Sequence, residues 1–313
     1  MDYKWIVLAN TTLGTIMSSI NINVVIVSLP SIFRGLGINP FLPGEFVFLL
    51  WILMGYSIVI ASFLVTLGKI SDMYGKARLY TIGFVIFAIA SIFLSFIPDE
   101  SGNFGAILLI FFRMIQAVGG SFLMVNSAAL LTDAFPPNER GKALGLNQVS
   151  LIVGTLLGLV VGGILASYNW HFVFLLSVPF AIAGALWSIF KLNRKYEKKE
   201  VKIDYLGNIS LALCLVFASL GFTYALLPYK SSLLGWSDPF VVASFLISLI
   251  FLILFVAVER KEGEPLFDLS LFNSRPFAFG NLSLFFSSMA RGALMFLLVV
   301  CYQKQKRKSL KGR

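Results

Sequence analysis

The chain of 313 residues is 58% hydrophobic and only 13% charged, whereas soluble domains carry about 25% charged residues. This composition predicts an all-α protein that crosses a membrane several times, rather than a soluble protein with a large core. The net charge of +10 does not indicate nucleic-acid binding, because the basic residues lie in the connections between apolar segments and not on one contiguous face.

Nine apolar segments are each long enough, at about 20 residues, to cross a bilayer. In chain order they are residues 5–33, 46–69, 78–97, 105–131, 143–167, 170–190, 206–227, 239–259 and 277–302. The first segment is too long for the core of a signal peptide and has no clear small-residue cleavage site. We therefore interpret it as a membrane span.

The distribution of Lys and Arg predicts the orientation of the spans, because cytoplasmic connections carry an excess of both. With a cytoplasmic N-terminus, fifteen of these residues fall in cytoplasmic connections, and only Arg34 and Lys230 fall in outside connections. We therefore predict a multi-pass protein of the plasma membrane whose N-terminus is cytoplasmic.

The C-terminal sequence QKQKRKSLKGR opposes this bias, because the ninth span would deliver it to the outside although six of its last ten residues are basic. Either the ninth segment does not span the membrane, or residues 303–313 are a non-native tail left by a frameshift or a truncated reading frame. We favour the second interpretation.

The sequence contains no signature of a soluble enzyme. Its single histidine, His171, excludes an H-E-x-x-H zinc motif, and no P-loop or G-x-S-x-G motif occurs. Cys214 and Cys301 lie far apart in apolar segments and indicate neither a disulfide framework nor a metal site. We predict no enzymatic activity and no cofactor, and we interpret His171, beside Trp170, as an interfacial residue.

The predicted cytoplasmic connection between the second and third spans, LGKISDMYGKARLY, combines two glycines, an aspartate and three cationic residues. Gly68 and Gly75 permit tight turning and close helix approach. Asp72 is able to accept from helix N-terminal amides or to pair with a cation. Lys76 and Arg78 add positive charge at the cytoplasmic face. The stretch is either an ordinary positive-inside connection or a dedicated conformational motif.

An arginine within a membrane span is costly and is usually paired or faces a cavity. Arg113 lies inside the fourth span, three residues before Gln116, so both are candidate substrate or coupling residues. The alternative is a structural arginine whose guanidinium binds backbone carbonyls. Arg291 is a second cationic residue within a predicted span.

Polar residues inside apolar helices supply further candidates. Asn21, Asn23 and Asn147 either line a substrate cavity or form hydrogen bonds between helices. No acidic residue lies in the middle of a predicted span. A coupling carboxylate would therefore come from Asp72 or Asp133 at the cytoplasmic edge or from helices that this sequence does not contain, or there is none.

The fifth span carries small residues at helical spacing, at Gly154, Gly158, Gly162 and Gly163. Glycines at i, i+4 and i+8 lie on one helix face and permit very close helix packing. The motif serves either packing alone or an additional role in antiport.

Several stretches resemble motifs of the major facilitator superfamily, and they occur in that family's order. GKISDMYGK resembles its loop motif G-x-L-A-D-R-x-G-R-R, RMIQAVGG resembles R-x-x-Q-G-x-G-A, and GTLLGLVVGG resembles the antiporter signature G-x-x-x-G-P-x-x-G-G with Leu159 at the proline position. ININVVIVSLP and WHFVFLLSVP resemble runs typical of drug:proton antiporters with fourteen spans, with Asn21 at an aspartate position.

The resemblance implies a six-helix major facilitator bundle plus about three further transmembrane helices. Its parts would be an N-terminal bundle at 1–190, a basic cytoplasmic linker at 191–205, two inserted linking helices at 206–259, and the first helix of a truncated C-terminal bundle at 277–302. It implies proton-coupled export of small amphipathic substrates by alternating access, with Arg113 in proton coupling and the loop motif bracing the outward-open state.

One bundle cannot form a two-sided cavity alone, so we predict that this chain does not transport unless it pairs with another polypeptide. The alternative is a non-transporting membrane partner or structural subunit that self-associates through the glycine face of the fifth span.

Overall fold

The computed structural model describes residues 2–39, 42–192, 204–227, 235–261, 271 and 273–290, which are helical apart from short connections. The helices are α1 (Tyr3–Leu36), α2 (Pro43–Tyr74), α3 (Lys76–Ser95), α4 (Gly102–Ala134), α5 (Pro137–Tyr168), α6 (His171–Leu175), α7 (Ser177–Lys191), α8 (Tyr205–Ala225) and α9 (Pro239–Lys261). Residues 275–290 are also helical. No strand occurs within these ranges, and the predicted all-α class is confirmed.

Eight helical segments are long and apolar enough to cross a membrane, and they coincide with the first eight predicted spans. α6 and α7 together form the sixth span. The helix is interrupted between them because Pro179, near the start of α7, cannot donate to the carbonyl of Leu175. Of the ninth predicted span, residues 277–290 lie in the last described helix. The rest of it, with the tail 303–313 and most of the linker 191–205, lies outside the described residues.

Backbone contacts divide the chain into two units, Met1–Leu266 and Phe267–Arg313. Within the first unit, α1 packs along α5 and also contacts α4 and α7, while α4 packs on α2 and α3. α8 and α9 pack on each other, and α8 contacts α2. In the second unit the structure describes the helix at residues 275–290.

A single residue, Gly75, joins the second and third helices, which corrects the predicted loop. α2 continues to Tyr74 and α3 begins at Lys76. About 20 residues suffice to cross the hydrocarbon core, so the last turns of this 32-residue helix continue past the apolar sequence that set the predicted boundary. Gly75 has a φ of 96°, a conformation that favours glycine and permits the abrupt change of direction.

α3 carries a row of fully buried aromatic side chains at helical spacing, Tyr80, Phe84 and Phe87. Gly14 of α1 and Gly184 of α7 make room for two of these rings, because a Cβ at either glycine would collide with Tyr80 Oη or Phe84 Cζ. This packing holds α1, α3 and α7 together and directs the next turn of α3 toward the interior of the unit.

Candidate functional site

Arg113 of α4 lies in the interior of the first unit, with only 2% of its surface exposed. Its Nη1 donates to Asn21 Oδ1 and to Gln116 Oε1, each at 2.6 Å. Asn21 is fully buried, and its Nδ2 donates to Ser177 Oγ at 3.1 Å. These bonds connect the guanidinium of α4 to α1 and, through Asn21, to α7.

Gln116 extends these contacts to α3. Its Nε2 donates to Ser91 Oγ at 2.7 Å, and Ser91 Oγ donates to the carbonyl of Phe87 at 2.7 Å. Because an unpaired polar group is expensive in an apolar interior, these bonds fix the relative positions of four helices. We refer to the set as the Arg113 network, which consists of Asn21, Ser91, Arg113, Gln116 and Ser177.

Tyr56 of α2 packs against the Arg113 network. The guanidinium carbon of Arg113 lies 4.3 Å from the centre of the Tyr56 ring, which is within the range of a cation–π interaction. Tyr56 is 3% exposed, and neither its hydroxyl nor Arg113 Nε has a hydrogen-bond partner among the described residues.

The partners of Arg113 are all neutral. Arg113 forms no ion pair with any residue that the structure describes. A guanidinium without a carboxylate partner is costly within a membrane span, although amide, hydroxyl and aromatic groups offset part of that cost. This arrangement suits a group that interacts with an anion or a titrating carboxylate during function.

The Arg113 network contains three of the five predicted substrate or coupling residues, Asn21, Arg113 and Gln116. Among the described residues, the guanidinium donates to side-chain oxygens and has no hydrogen bond to a backbone carbonyl. Ser91 and Ser177 are absent from the residues predicted from the sequence, because a single serine is common in an apolar span. For Ser177 a signal was available, since it lies in the stretch WHFVFLLSVP.

Asn23 and Asn147 lie elsewhere, between α1 and α5. Asn23 Nδ2 donates to the carbonyl of Ser19 at 2.8 Å and to Thr155 Oγ1 at 3.4 Å. Asn147 Oδ1 accepts from Thr15 Oγ1 at 3.2 Å. Both asparagines therefore form hydrogen bonds in the α1–α5 interface and have none to Arg113.

The predicted glycine face of α5 packs directly on α1. A Cβ at Gly154 would lie 2.8 Å from the carbonyl oxygen of Ile16, and one at Gly158 would lie 2.8 Å from that of Ile20. Gly162 meets the backbone of α1 in the same way, whereas a Cβ on exposed Gly163 would make only an ordinary contact. The face is therefore covered by α1 within one chain, and the alternative of self-association through it is not favoured.

The predicted loop motif lies on the side of the unit where α2 and α4 end and α3 begins. Lys76 Nζ lies 2.7 Å from Asp133 Oδ2 at the end of α4 and 3.9 Å from Asp72 Oδ1. Because Lys76 is the first residue of α3, its charge opposes the helix dipole, and the two carboxylates offset that effect.

Besides Gly75, which forms the turn, the motif includes Arg78 and Gly68, and neither of them has such a contact. Arg78 is exposed and forms no ion pair with the described residues. Gly68 lies within α2 rather than in a turn, and a Cβ there would make an ordinary contact with Val125.

Trp170 and His171 join two connections at the opposite ends of the helices. Trp170 Nε1 donates to Asp99 Oδ1 at 2.7 Å. The His171 ring lies 2.6 Å from Asn169 Oδ1 and 2.8 Å from the carbonyl of Ile97. The pair thus links the α3–α4 connection to the turn between α5 and α6.

Comparison with known proteins identifies a family and several relatives. The sequence pattern of the Major Facilitator Superfamily matches residues 11–302. The chain is 29% identical over 279 residues to Multidrug resistance protein 3 of Bacillus subtilis (strain 168), which covers 88% of this chain and 50% of that protein. It is 32% identical over 299 residues to the riboflavin transporter RibZ of Clostridioides difficile (strain 630), covering 94% and 60% respectively.

A third relative is the Methylenomycin A resistance protein of Bacillus subtilis (strain 168), 26% identical over 300 residues, which cover 95% of this chain and 60% of that protein. The chain thus spans only half to three-fifths of the length of these relatives. The match over nearly all of its length, together with eight helices fit to cross a membrane, shows that the chain belongs to the Major Facilitator Superfamily of multi-pass membrane transporters.

Proposed function

We propose that the chain supplies the N-terminal six-helix bundle and the linking helices of a plasma-membrane exporter of small amphipathic compounds. Proton-coupled alternating access would drive the export, as in drug:proton antiporters with fourteen spans. Two relatives that are named for multidrug and methylenomycin resistance support export as the direction of transport. The excess of Lys and Arg in alternate connections supports a cytoplasmic N-terminus.

The observation that carries the proposal is the Arg113 network. A buried cation held by side chains of four helices is sensitive to their relative positions, because a small displacement of α1 or α7 changes the partners of Asn21. Transporters of this kind place their binding and coupling residues near the middle of the membrane, at the interface of two repeats. A network with these properties suits a coupling site better than a purely structural one.

Proton coupling requires a group that titrates. Among the described residues the buried carboxylates are Asp204, just before α8, and Glu259, near the end of α9, so both lie at the ends of spans. We propose that the coupling carboxylate belongs to a second bundle and approaches Arg113 in one conformation. A nearby guanidinium favours the ionised carboxylate, so approach and separation would drive proton release and uptake.

Alternating access also requires two bundles that move against each other around a central site. The chain spans half to three-fifths of the relatives' length, and the first unit provides one such bundle. We therefore propose that this chain transports only in the company of a second bundle.

A chimera tests both proposals. Residues 1–276 replace the matching part of Multidrug resistance protein 3. Export from energised vesicles is then measured with an amphipathic dye that the intact relative is first shown to export, and the chimera is compared with the intact relative and with this chain alone. We expect export by the chimera, loss of export on Arg113→Gln substitution, and none by this chain alone. A folded, inserted chimera that exports neither this dye nor riboflavin would contradict the transporter proposal, and export by the chain alone would contradict the need for a second bundle.

A further inference from the structure

A cleft lies on the side of the unit where α1 and α5 begin and α4 ends. Its walls are formed by Trp5, Leu8, Phe135, Glu139, Lys142, Ala143 and Leu146. The α5 members stand at i, i+3, i+4 and i+7, so they form a single stripe along the helix. None of these residues belongs to the Arg113 network or to the loop motif.

The cleft changes from polar to apolar along the helix axes. Glu139 and Lys142 lie in the first two turns of α5, and Ala143 and Leu146 follow toward the middle of the span. Glu139 and Leu146 are seven residues apart, which corresponds to about 10 Å along the axis. On α1, Trp5 lies at the charged end of the cleft, and Leu8 lies about one turn further into the span. The cleft therefore has a charged end at the membrane surface and an apolar end inside the bilayer.

The charges around the polar end leave an excess of positive charge. Lys4 Nζ lies 2.7 Å from Glu139 Oε2, so the charges of Lys4 and Glu139 neutralise each other. The same Nζ lies 5.8 Å from the ring centres of both Trp5 and Phe135. Lys142 is exposed, lines the cleft and has no ion-pair partner in the described part of the chain. Arg140 adds a further exposed charge, and its Nε donates to the carbonyl of Phe135 at 3.1 Å.

The apolar end is open to the surroundings. Leu146 at this end is 41% exposed, and Trp5 at the charged end of the cleft is 38% exposed. The Trp5 ring meets Phe135 edge-on with ring centres 5.9 Å apart, and tryptophan is typical of the membrane–water interface. A molecule in this cleft would therefore have its apolar part among the lipid chains and its polar part in the aqueous interface.

We propose that this cleft binds one anionic phospholipid, with its phosphate on Lys142 and the start of an acyl chain against Leu8, Ala143 and Leu146. The assignment of the lipid to the cytoplasmic leaflet rests on the proposed orientation. Anionic lipids are concentrated in that leaflet and attract basic residues near the surface. A soluble phosphate would satisfy Lys142 but would leave the apolar wall of the cleft uncovered.

Quenching of Trp5 fluorescence by brominated lipids tests the proposal on the full chain in phosphatidylcholine vesicles. The Trp5 signal is the difference between the chain and its Trp5→Phe variant. We expect half-maximal quenching at about a fivefold lower fraction of dibrominated phosphatidylglycerol than of dibrominated phosphatidylcholine, the preference expected of one cation beside anionic headgroups.

Variants of Lys142 identify the group responsible. Lys142→Gln should abolish the preference and Lys142→Arg should retain it. Lys191→Gln, which removes an exposed charge from the last turn of α7, should also retain it and so controls for general surface charge. Equal quenching by the two lipids, or an unchanged preference in Lys142→Gln, would overturn the proposal.

A competition with inorganic phosphate separates the two sources of the phosphate group. Loss of the lipid preference on adding phosphate at constant ionic strength would show that the site takes a soluble anion, which would also overturn the proposal. The quenching requires no transport and reports on lipid in both leaflets, so it remains decisive even if the chimera described above fails to export.

Discussion

Substitution of Gly158 by alanine tests how closely α5 packs on α1. The added Cβ would lie 2.8 Å from the carbonyl oxygen of Ile20, 3.1 Å from its Cα and 3.0 Å from Asn23 Cβ. All three atoms belong to the backbone of α1 or are bonded directly to it, so the collision is not relieved by a side-chain rotation. The two helices must separate, and such overpacking costs about 1–3 kcal/mol.

Helix propensity acts in the opposite direction, because alanine is favoured over glycine in a helix interior by about 1 kcal/mol. Gly163→Ala is the matched control, since it gains the same propensity while its Cβ would lie 3.8 Å from Val27 Cγ1, an ordinary contact. We therefore expect Gly158→Ala to be less stable than Gly163→Ala by about 1–3 kcal/mol, the overpacking cost alone.

The measurement is equilibrium unfolding of the purified chain in mixed micelles of a mild detergent and dodecyl sulfate, followed by circular dichroism. Light scattering on the same samples checks that neither substitution changes the oligomeric state. A difference within about 0.5 kcal/mol, the usual range for surface substitutions, would refute the close α1–α5 contact. A change from dimer to monomer in Gly158→Ala alone would instead support self-association through this face.

Substitutions at three further positions test other contacts by the same unfolding measurement. Ser91→Ala removes the acceptor of Gln116 Nε2 and should cost about 1–3 kcal/mol, because a buried amide loses its partner; a smaller loss would show that this bond is replaceable. Asp204→Ala removes the cap of α8 and should cost about 1 kcal/mol, whereas Asp204→Asn should cost less. Lys76→Ala breaks a solvent-exposed pair with Asp133, so the loss should stay below about 1 kcal/mol and vanish at high salt; a larger, salt-independent loss would contradict this assignment.

The number, order and approximate extent of the first eight spans follow from the sequence, because runs of about 20 apolar residues have few alternative structures. The ends of the helices do not follow in the same way. α2 continues to Tyr74, since hydropathy reports where the hydrocarbon core ends, whereas hydrogen bonding and glycine placement determine where the helix ends. Gly75 marks that end, and its position after Asp72 was visible in the sequence.

The sequence indicates which polar residues of the candidate site need partners, but not which of them meet. Arg113, Asn21 and Gln116 form one network because polar groups within a membrane must find partners. The sequence predicts Asn21 and Asn23 as members of one site. Two residues correspond to about 200° around a helix, however, so the two side chains lie on opposite faces of α1. Asn21 meets α4 and α7, and Asn23 meets α5.

The identity of residue 21 bears directly on the charge of the site. As an asparagine it accepts from Arg113 through Oδ1 and donates to Ser177 through Nδ2, whereas an ionised aspartate would accept from both partners and would neutralise the guanidinium. The amide therefore satisfies two neighbours and leaves the positive charge of Arg113 uncompensated by the described residues. An uncompensated charge in a membrane interior is stabilised when an anionic group approaches. The same feature that makes the network costly in the isolated bundle supports the proposal that a second bundle brings a carboxylate to Arg113.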